Sequence, residues 1–259
     1  MQFLVANASS TQFLLFSGTL ISMWLIESTI RVESRSIKFL HTTFNAFFMS
    51  GAFPIQWAMM LLCLGAASWA TRHDLGAFHL LPHADNPWIK YGLMFFVMDG
   101  TSYLYHTLMH RIPVFWSFHR LHHTDESVDV STTFREHPIE TFIRNVFLIA
   151  CVVLLGASIE VLILRQSIET VSNILSHTTL SLRPRLAQVL GILFITPNLH
   201  HAHHHCQMPA TNSNYGDVLS VWDRLFGTFV SMPNEKIVFG LDTEMTMRTR
   251  NISYAGPRV

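Results

Sequence analysis

Charged side chains are scarce in this chain, making up 13% of its 259 residues where a soluble domain carries about a quarter. With a hydrophobic fraction of 49% and a mean hydropathy of +0.30, that deficit excludes disorder and argues against an ordinary soluble globule. Neither sign of charge is in excess, 17 basic residues standing against 17 acidic ones. No overall field therefore selects nucleic acid or an acidic partner. Cysteine is also sparse: the three residues, Cys63, Cys151 and Cys206, have no paired spacing. That excludes a disulfide framework, a zinc ribbon and an iron-sulfur cluster. A flavin or dinucleotide fingerprint is missing too. The N-terminus has no basic n-region, and no small-residue cleavage site follows its first apolar run, which reads as a retained anchor.

What the chain has instead is apolar length and 16 histidines. The run from Thr11 to Ile30 is long enough to cross a hydrocarbon core as a helix. Glu27 at its end stands four residues before Arg31, so the two can pair at the interface. Arg31, Arg35 and Lys38 put this end on the cytoplasmic side. A second segment, about Thr43 to Ala70 with a kink expected at Pro54, returns across the membrane. A third runs from Trp88 to about His110 and comes back. Residues Arg111 to Arg144 are polar and lie outside the lipid. A fourth apolar block, Val146 to about Leu180, is broken at Gly156-Ala157-Ser158. Its first arm of about 11 residues is too short to span, so a helical hairpin that dips in and returns is expected. The expected fold is all-α: a membrane-embedded bundle of about four helical segments or hairpins. Residues 1–88 form the anchor, 89–232 the functional domain and 233–259 a tail.

Twelve of the histidines fall between positions 106 and 205, and eight of them fit three tight spacings. His106-x-x-x-His110 puts two imidazoles about 40° apart around a helix. His119-x-x-His122-His123 and His200-x-x-His203-His204 each place three within about a 100° arc, so several nitrogens can converge on one or two metal ions. One such box alone can be solvated surface. Three beside membrane spans point to a metal site, because desolvating that many imidazoles without a ligand is costly. The third box also contains the register His201-x-x-His204-His205, and spacing does not choose between the two. Asp99, Tyr103, His106 and His110 form one stripe on a helix face. Asp99 then either orients a ligand histidine from behind or makes an interhelical hydrogen bond. His137 before Pro138, and His177 four residues after Asn173, are open between a structural and a ligand role. His41, His73, His79 and His83 have no ligand spacing and read as surface residues.

Two other classes use clustered histidines. A membrane metal-ion transporter needs ligands along a path through several spans, whereas these boxes sit at or beyond the membrane surface. A zinc-dependent membrane hydrolase is the other, but there is no HExxH.

Taken in order, the motifs are Asp99-Gly-Thr-Ser-Tyr103-Leu-Tyr-His106-Thr-Leu-Met-His110, Phe118-His119-Arg-Leu-His122-His123 and Glu136-His137-Pro138-Ile-Glu140. Then come Thr196-Pro197-Asn-Leu-His200-His-Ala-His203-His204, Asn214-Tyr215-Gly216 and Trp222-Asp223-Arg-Leu-Phe226-Gly227-Thr228. This pattern resembles the fatty acid hydroxylase and sterol desaturase superfamily of integral-membrane di-iron enzymes, in its bacterial sterol-desaturase-like branch, over about residues 90 to 232. The resemblance implies transmembrane helices capped by a cytosolic helical layer that holds two irons in an all-histidine shell. It favours the His200 register and moves His137 and His177 toward the metal. It further implies dioxygen as co-substrate and hydroxylation or desaturation of an unactivated C–H bond in a lipid drawn from the bilayer, a fatty acyl chain, a sterol or a relative. The host would be a bacterial inner membrane. Zinc can replace iron in recombinant material, since it outcompetes ferrous iron for nitrogen ligands. With no redox cofactor motif of its own, the chain needs an external electron donor: a ferredoxin, a cytochrome or an NAD(P)H-dependent reductase. Arg111, Arg120, Arg135, Arg144, Arg183 and Arg185 offer either a docking face for an acidic donor or ordinary positive-inside charge.

Overall fold

The computed structural model describes residues 8–30, 35–82 and 86–242, which are helical with no β-strand beyond two isolated bridges. The long elements are α1 (Ala8–Ile30), α2 (Arg35–Arg72), α3 (Met94–Arg111), α4 (Pro113–His123), α5 (Pro138–Leu155) and α6 (Ile159–His177). Three short helices follow: α7 (Pro184–Leu190), α8 (Pro197–His203) and α9 (Val221–Leu225).

Three stretches are long and apolar enough to cross a membrane: Ser10–Ile30, Arg35–Leu80 and Pro138–Leu155. Their large apolar side chains point outward, among them Phe13, Ile21, Phe47, Trp57, Leu62 and Leu154. The inward positions of α2 are small or polar, including Asn45, Ala52, Cys63, Ala67 and Ala70. Large residues outside and small ones inside is the arrangement expected where lipid is the solvent and close helix packing holds the bundle together. Gly51 marks one such approach: a Cβ there would sit 3.1 Å from Pro138, at the start of α5. α2 runs through Pro54 without ending.

Two expectations about the spans change. The stretch from Trp88 to His110 is not among the three apolar candidates. It becomes a π-helical turn, Trp88–Leu93, followed by α3. α3 is a core helix that buries Met94, Met98, Asp99, Ser102, Tyr103, His106 and His110. The hairpin forms, with Gly156 in the left-handed conformation at the end of α5, a position that glycine favours. Its first arm, however, begins at Pro138 rather than Val146, so α5 has 18 residues and a span-length of roughly 27 Å. Glu140, Thr141, Arg144 and Asn145 lower the hydropathy of its first turns, which hid them from a reading by apolar runs.

The apolar core joins α2, α3, α5 and α6 around Cys63, Ala67, Met98, Val152 and Val161. At the other end of the bundle the interior is polar. His41, expected at the surface, lies between Asp125 (2.9 Å) and Asp129 (3.3 Å). Glu27 is fully buried against Lys38, at 2.8 Å; its expected partner Arg31 lies outside the described residues, as does His83. His73 is exposed and packs on Trp69, and His79 faces Asp74 at 3.8 Å.

Candidate metal centre

The three boxes and His177 meet in two groups. His106, His110, His119, His123 and His203 form one, and His122, His177, His200 and His204 the other, with the ligand atoms of each group within 4.8 Å of one another. The split follows from helix geometry. Residues i and i+4 are about 40° apart on a helix, while i+3 falls on the other side of i by about 60°. In α4 the outer pair His119 and His123 therefore serves the five-histidine group, and His122 turns to the other. α8 does the reverse: His200 and His204 go to the four-histidine group and His203 to the five. The rings interleave where the groups touch, with centroids 4.5 Å apart for His123 and His204.

Chemistry singles out the nitrogens that face inward. In the five-histidine group, Nδ1 of His106 donates to the Tyr215 carbonyl (2.9 Å) and that of His110 to Asn212 Oδ1 (3.2 Å). Nδ1 of His119 donates to Glu140 Oε1 (2.6 Å) and that of His203 to the Ser213 carbonyl (2.7 Å). A neutral imidazole that donates from Nδ1 has a bare lone pair at Nε2. Those four Nε2 atoms are buried without a hydrogen-bond partner, as are both ring nitrogens of His123. Leaving six such atoms on five rings unsatisfied is costly unless a cation completes the set, so the donor set fits a metal ion.

In the four-histidine group, Nδ1 of His177 donates to the Asn173 carbonyl at 2.8 Å. Its Nε2 then lies 3.0 Å from Nε2 of His122 and 3.0 Å from that of His200, with His204 Nε2 3.2 Å from His200 Nε2. Two nitrogens each ~2.1 Å from one ion and at right angles around it are ~3.0 Å apart. The spacing is thus that of ligands around a shared ion, and imidazole sets of this kind suit iron or zinc.

Electrostatics point the same way. Burial holds His203 down to about 3, against the opposing hydrogen bond to Ser213. Burial first, then neighbouring imidazoles, hold His123 and His204 well below the ordinary histidine range. At neutral pH these rings are uncharged and their lone pairs are free to bind.

The remaining sequence candidates take other places. His137 belongs to neither group: its Nδ1 accepts the Ile139 amide at 3.1 Å and caps α5, because a residue before proline adopts the extended conformation a helix cap requires. His201 donates to the Thr178 carbonyl and His205 accepts the Val238 amide, so His200, His203 and His204 are the members of the third box that converge. Asp99 touches no histidine; it accepts from Trp222 Nε1 (2.9 Å) and the Leu219 amide (3.3 Å). Tyr103 pairs with Thr228 at 3.0 Å.

The Tyr103 contact still leads to the site, through the two C-terminal motifs quoted from the sequence, Asn214 to Gly216 and Trp222 to Thr228. Thr228 donates to Asp223, which accepts the amides of Tyr215 (2.8 Å) and Gly216 (3.0 Å), and the Tyr215 carbonyl holds His106. Asn214 has a φ of +50°, a conformation asparagine tolerates better than most residues. Its side chain binds the Leu199 carbonyl and both backbone polar groups of Val230. The carbonyls on either side of it thereby face His203 and His106. Glu140 and Asn212 were missed as ring partners, although Glu140 stood within a quoted motif. Of the arginines open between a docking face and positive-inside charge, Arg135 is spent on Leu121, Thr124 and Asn45, and Arg144 on Glu136 and Gln56.

The fold and site define a helical membrane protein with paired polyhistidine metal-binding groups. Comparison with known proteins gives the class a name. The fatty acid hydroxylase family model matches residues 91–228, and the chain belongs to that family. Alkylglycerol monooxygenase of Homo sapiens is 29% identical over 157 residues, covering 61% of this chain and 34% of that protein. Ornithine lipid hydroxylase OlsE of Rhizobium tropici is 34% identical over 131 residues, covering 51% of this chain and 39% of that protein. Caenorhabditis elegans alkylglycerol monooxygenase is 28% identical over 162 residues, 61% of this chain and 30% of that protein. The chain thus matches between about 30% and 40% of the length of these relatives. No solved structure matches it.

Proposed function

We propose that this chain is a membrane-bound two-iron oxygenase that hydroxylates an unactivated C–H bond of a lipid, with dioxygen as oxidant and electrons from an external donor. The observation that carries the proposal is the convergence of two histidine groups, one with buried inward nitrogens that have no hydrogen-bond partner and the other with Nε2 atoms 3.0–3.2 Å from one another. The names of the relatives, a monooxygenase and a hydroxylase each acting on a lipid, favour oxygen insertion over desaturation. Bound iron would supply the redox change and the open positions that dioxygen activation needs.

The chain's own residues do the rest. The histidines hold the two ions without adding negative charge. Glu140, Asn212 and the carbonyls of Ser213, Tyr215 and Asn173 fix which nitrogen each ring presents, as outer partners of metal-bound histidines commonly do. Burial of both groups excludes bulk water from the reacting centre. The lipid enters from the bilayer between helices, its reactive carbon beneath the histidine layer. That layer faces the cytoplasm, where a ferredoxin, a cytochrome or an NAD(P)H-dependent reductase can reach it.

The test is anaerobic loading of purified protein with ferrous iron, then addition of dioxygen, a reductant and lipid extract, followed by mass spectrometry of the lipids. Lipids gaining one oxygen atom are expected. Iron uptake into vesicles with unchanged lipids would replace this reading with transport.

A further inference from the structure

The two anchor helices lie outside residues 91–228, which the family model matches, yet one carboxylate at the end of α1 binds segments that follow the metal-site histidines. Glu27, at the end of α1, is 0% exposed, and its partner Lys38 on α2 is 2% exposed. Glu27 Oε2 takes the Lys38 ammonium at 2.8 Å. Glu27 Oε1 accepts two backbone amides, Thr179 at 2.7 Å and Val130 at 3.3 Å. Thr179 lies two residues beyond His177. Val130 lies in the segment that leads away from His122 and His123. Between Thr179 and His177, the Thr178 carbonyl receives His201 Nε2 at 2.8 Å, next to His200. One oxygen atom thus grips the chain two residues beyond His177 and eight beyond His122, and the adjacent Thr178 carbonyl carries the contact to α8.

Those are the segments that supply the four-histidine group, the group in which only His177 has a hydrogen bond fixing its ring from behind. We propose that Glu27 is a positioning residue for the four-histidine group, and that its acceptance of the Thr179 and Val130 amides, rather than its charge pairing with Lys38, is what places His177 and His122. The inference rests on reading that group as a metal site. The Lys38 ammonium completes the carboxylate, while the two amides transmit the position of α1 to the ligands.

Removing Glu27 alone strands a buried ammonium, so the test uses paired substitutions. Glu27→Gln with Lys38→Met keeps an oxygen for the two amides and removes the charge. Glu27→Leu with Lys38→Met removes the acceptor and leaves an apolar pair, a replacement buried ion pairs often tolerate. Each purified protein is titrated with Co²⁺ alone, with metal per chain and the visible absorption of the bound ion as readouts. The wild type and the Gln/Met protein are expected to bind two ions, the second with affinities within threefold of each other. The Leu/Met protein is expected to keep the ion of the five-histidine group and to bind the other at least tenfold more weakly. A Leu/Met protein that binds both ions like the wild type, or loses both together, overturns the positioning role. A wild type that takes up fewer than two ions overturns the two-ion reading itself, which separates that failure from a failure at Glu27.

Discussion

The two histidine groups are cut from the same sequence pattern and held by different means. In the five-histidine group four rings are tethered through Nδ1, one of them to the Glu140 carboxylate. In the four-histidine group His177 has such a tether, His200 and His204 have buried Nδ1 atoms with no partner, and His122 is half-buried. A tethered ring aims its lone pair before an ion arrives and gains basicity from the acceptor behind it. An untethered ring is ordered by the ion itself. The difference implies a preorganised site beside one that its metal completes, and the first should bind more tightly.

The sharpest way to break the comparison is to remove one ligand from each group. His203→Ala and His204→Ala, neighbours on one turn, should each reduce metal content from two ions to one per chain by elemental analysis, and the ion lost should differ between them. Loss of both ions in either variant would mean that the groups do not act separately.

A second test is Glu140→Gln, which keeps a hydrogen-bond acceptor for His119 and removes the charge. Affinity at the five-histidine group should fall by about 10–100-fold, or roughly 1.4–2.7 kcal/mol, with the other site unchanged in a chelator competition.

Acid should then separate the sites without mutation. His203, His123 and His204 have folded values below their unfolded value near 6.5. Below that value the unfolded chain binds protons that the folded one does not. The metal-free protein should therefore lose stability as pH falls from about 6.5 toward 3, visible as a falling Tm. Metal binding competes with the same protons, so the ion of the weaker, four-histidine group should leave at the higher pH.

The smallest effect is expected at His137, which contributes a helix cap. His137→Ala should cost about 1 kcal/mol of stability and leave two ions per chain.

How much of this was legible in the sequence depends on how far each partner lies along the chain. The boxes are local patterns, and their i, i+3 and i+4 spacing already contains the later division between two histidine groups. Gly156-Ala157-Ser158 announced its turn for the same reason. Spacing alone did not give the register of the third box, because His200 and His201 satisfy the same pattern; only the family resemblance favoured His200. The choice is made by Thr178, 23 residues earlier, which engages His201. His41 looked idle because its partners Asp125 and Asp129 stand 84 and 88 residues away. Asp99 shares a helix face with His106, which left ring orientation and an interhelical hydrogen bond both open; the hydrogen bond, from Trp222 of α9, is the one that forms. The actual partner of His106 is a main-chain carbonyl, an atom every residue carries and no sequence distinguishes.

Each of α4 and α8 carries ligands for both groups, so the two centres share a common axle. A tilt or slide of either helix would change the geometry of both histidine groups at once. A change at one centre, such as the binding of an ion, can then be felt at the other through rigid displacement alone, with no side chain relaying the message.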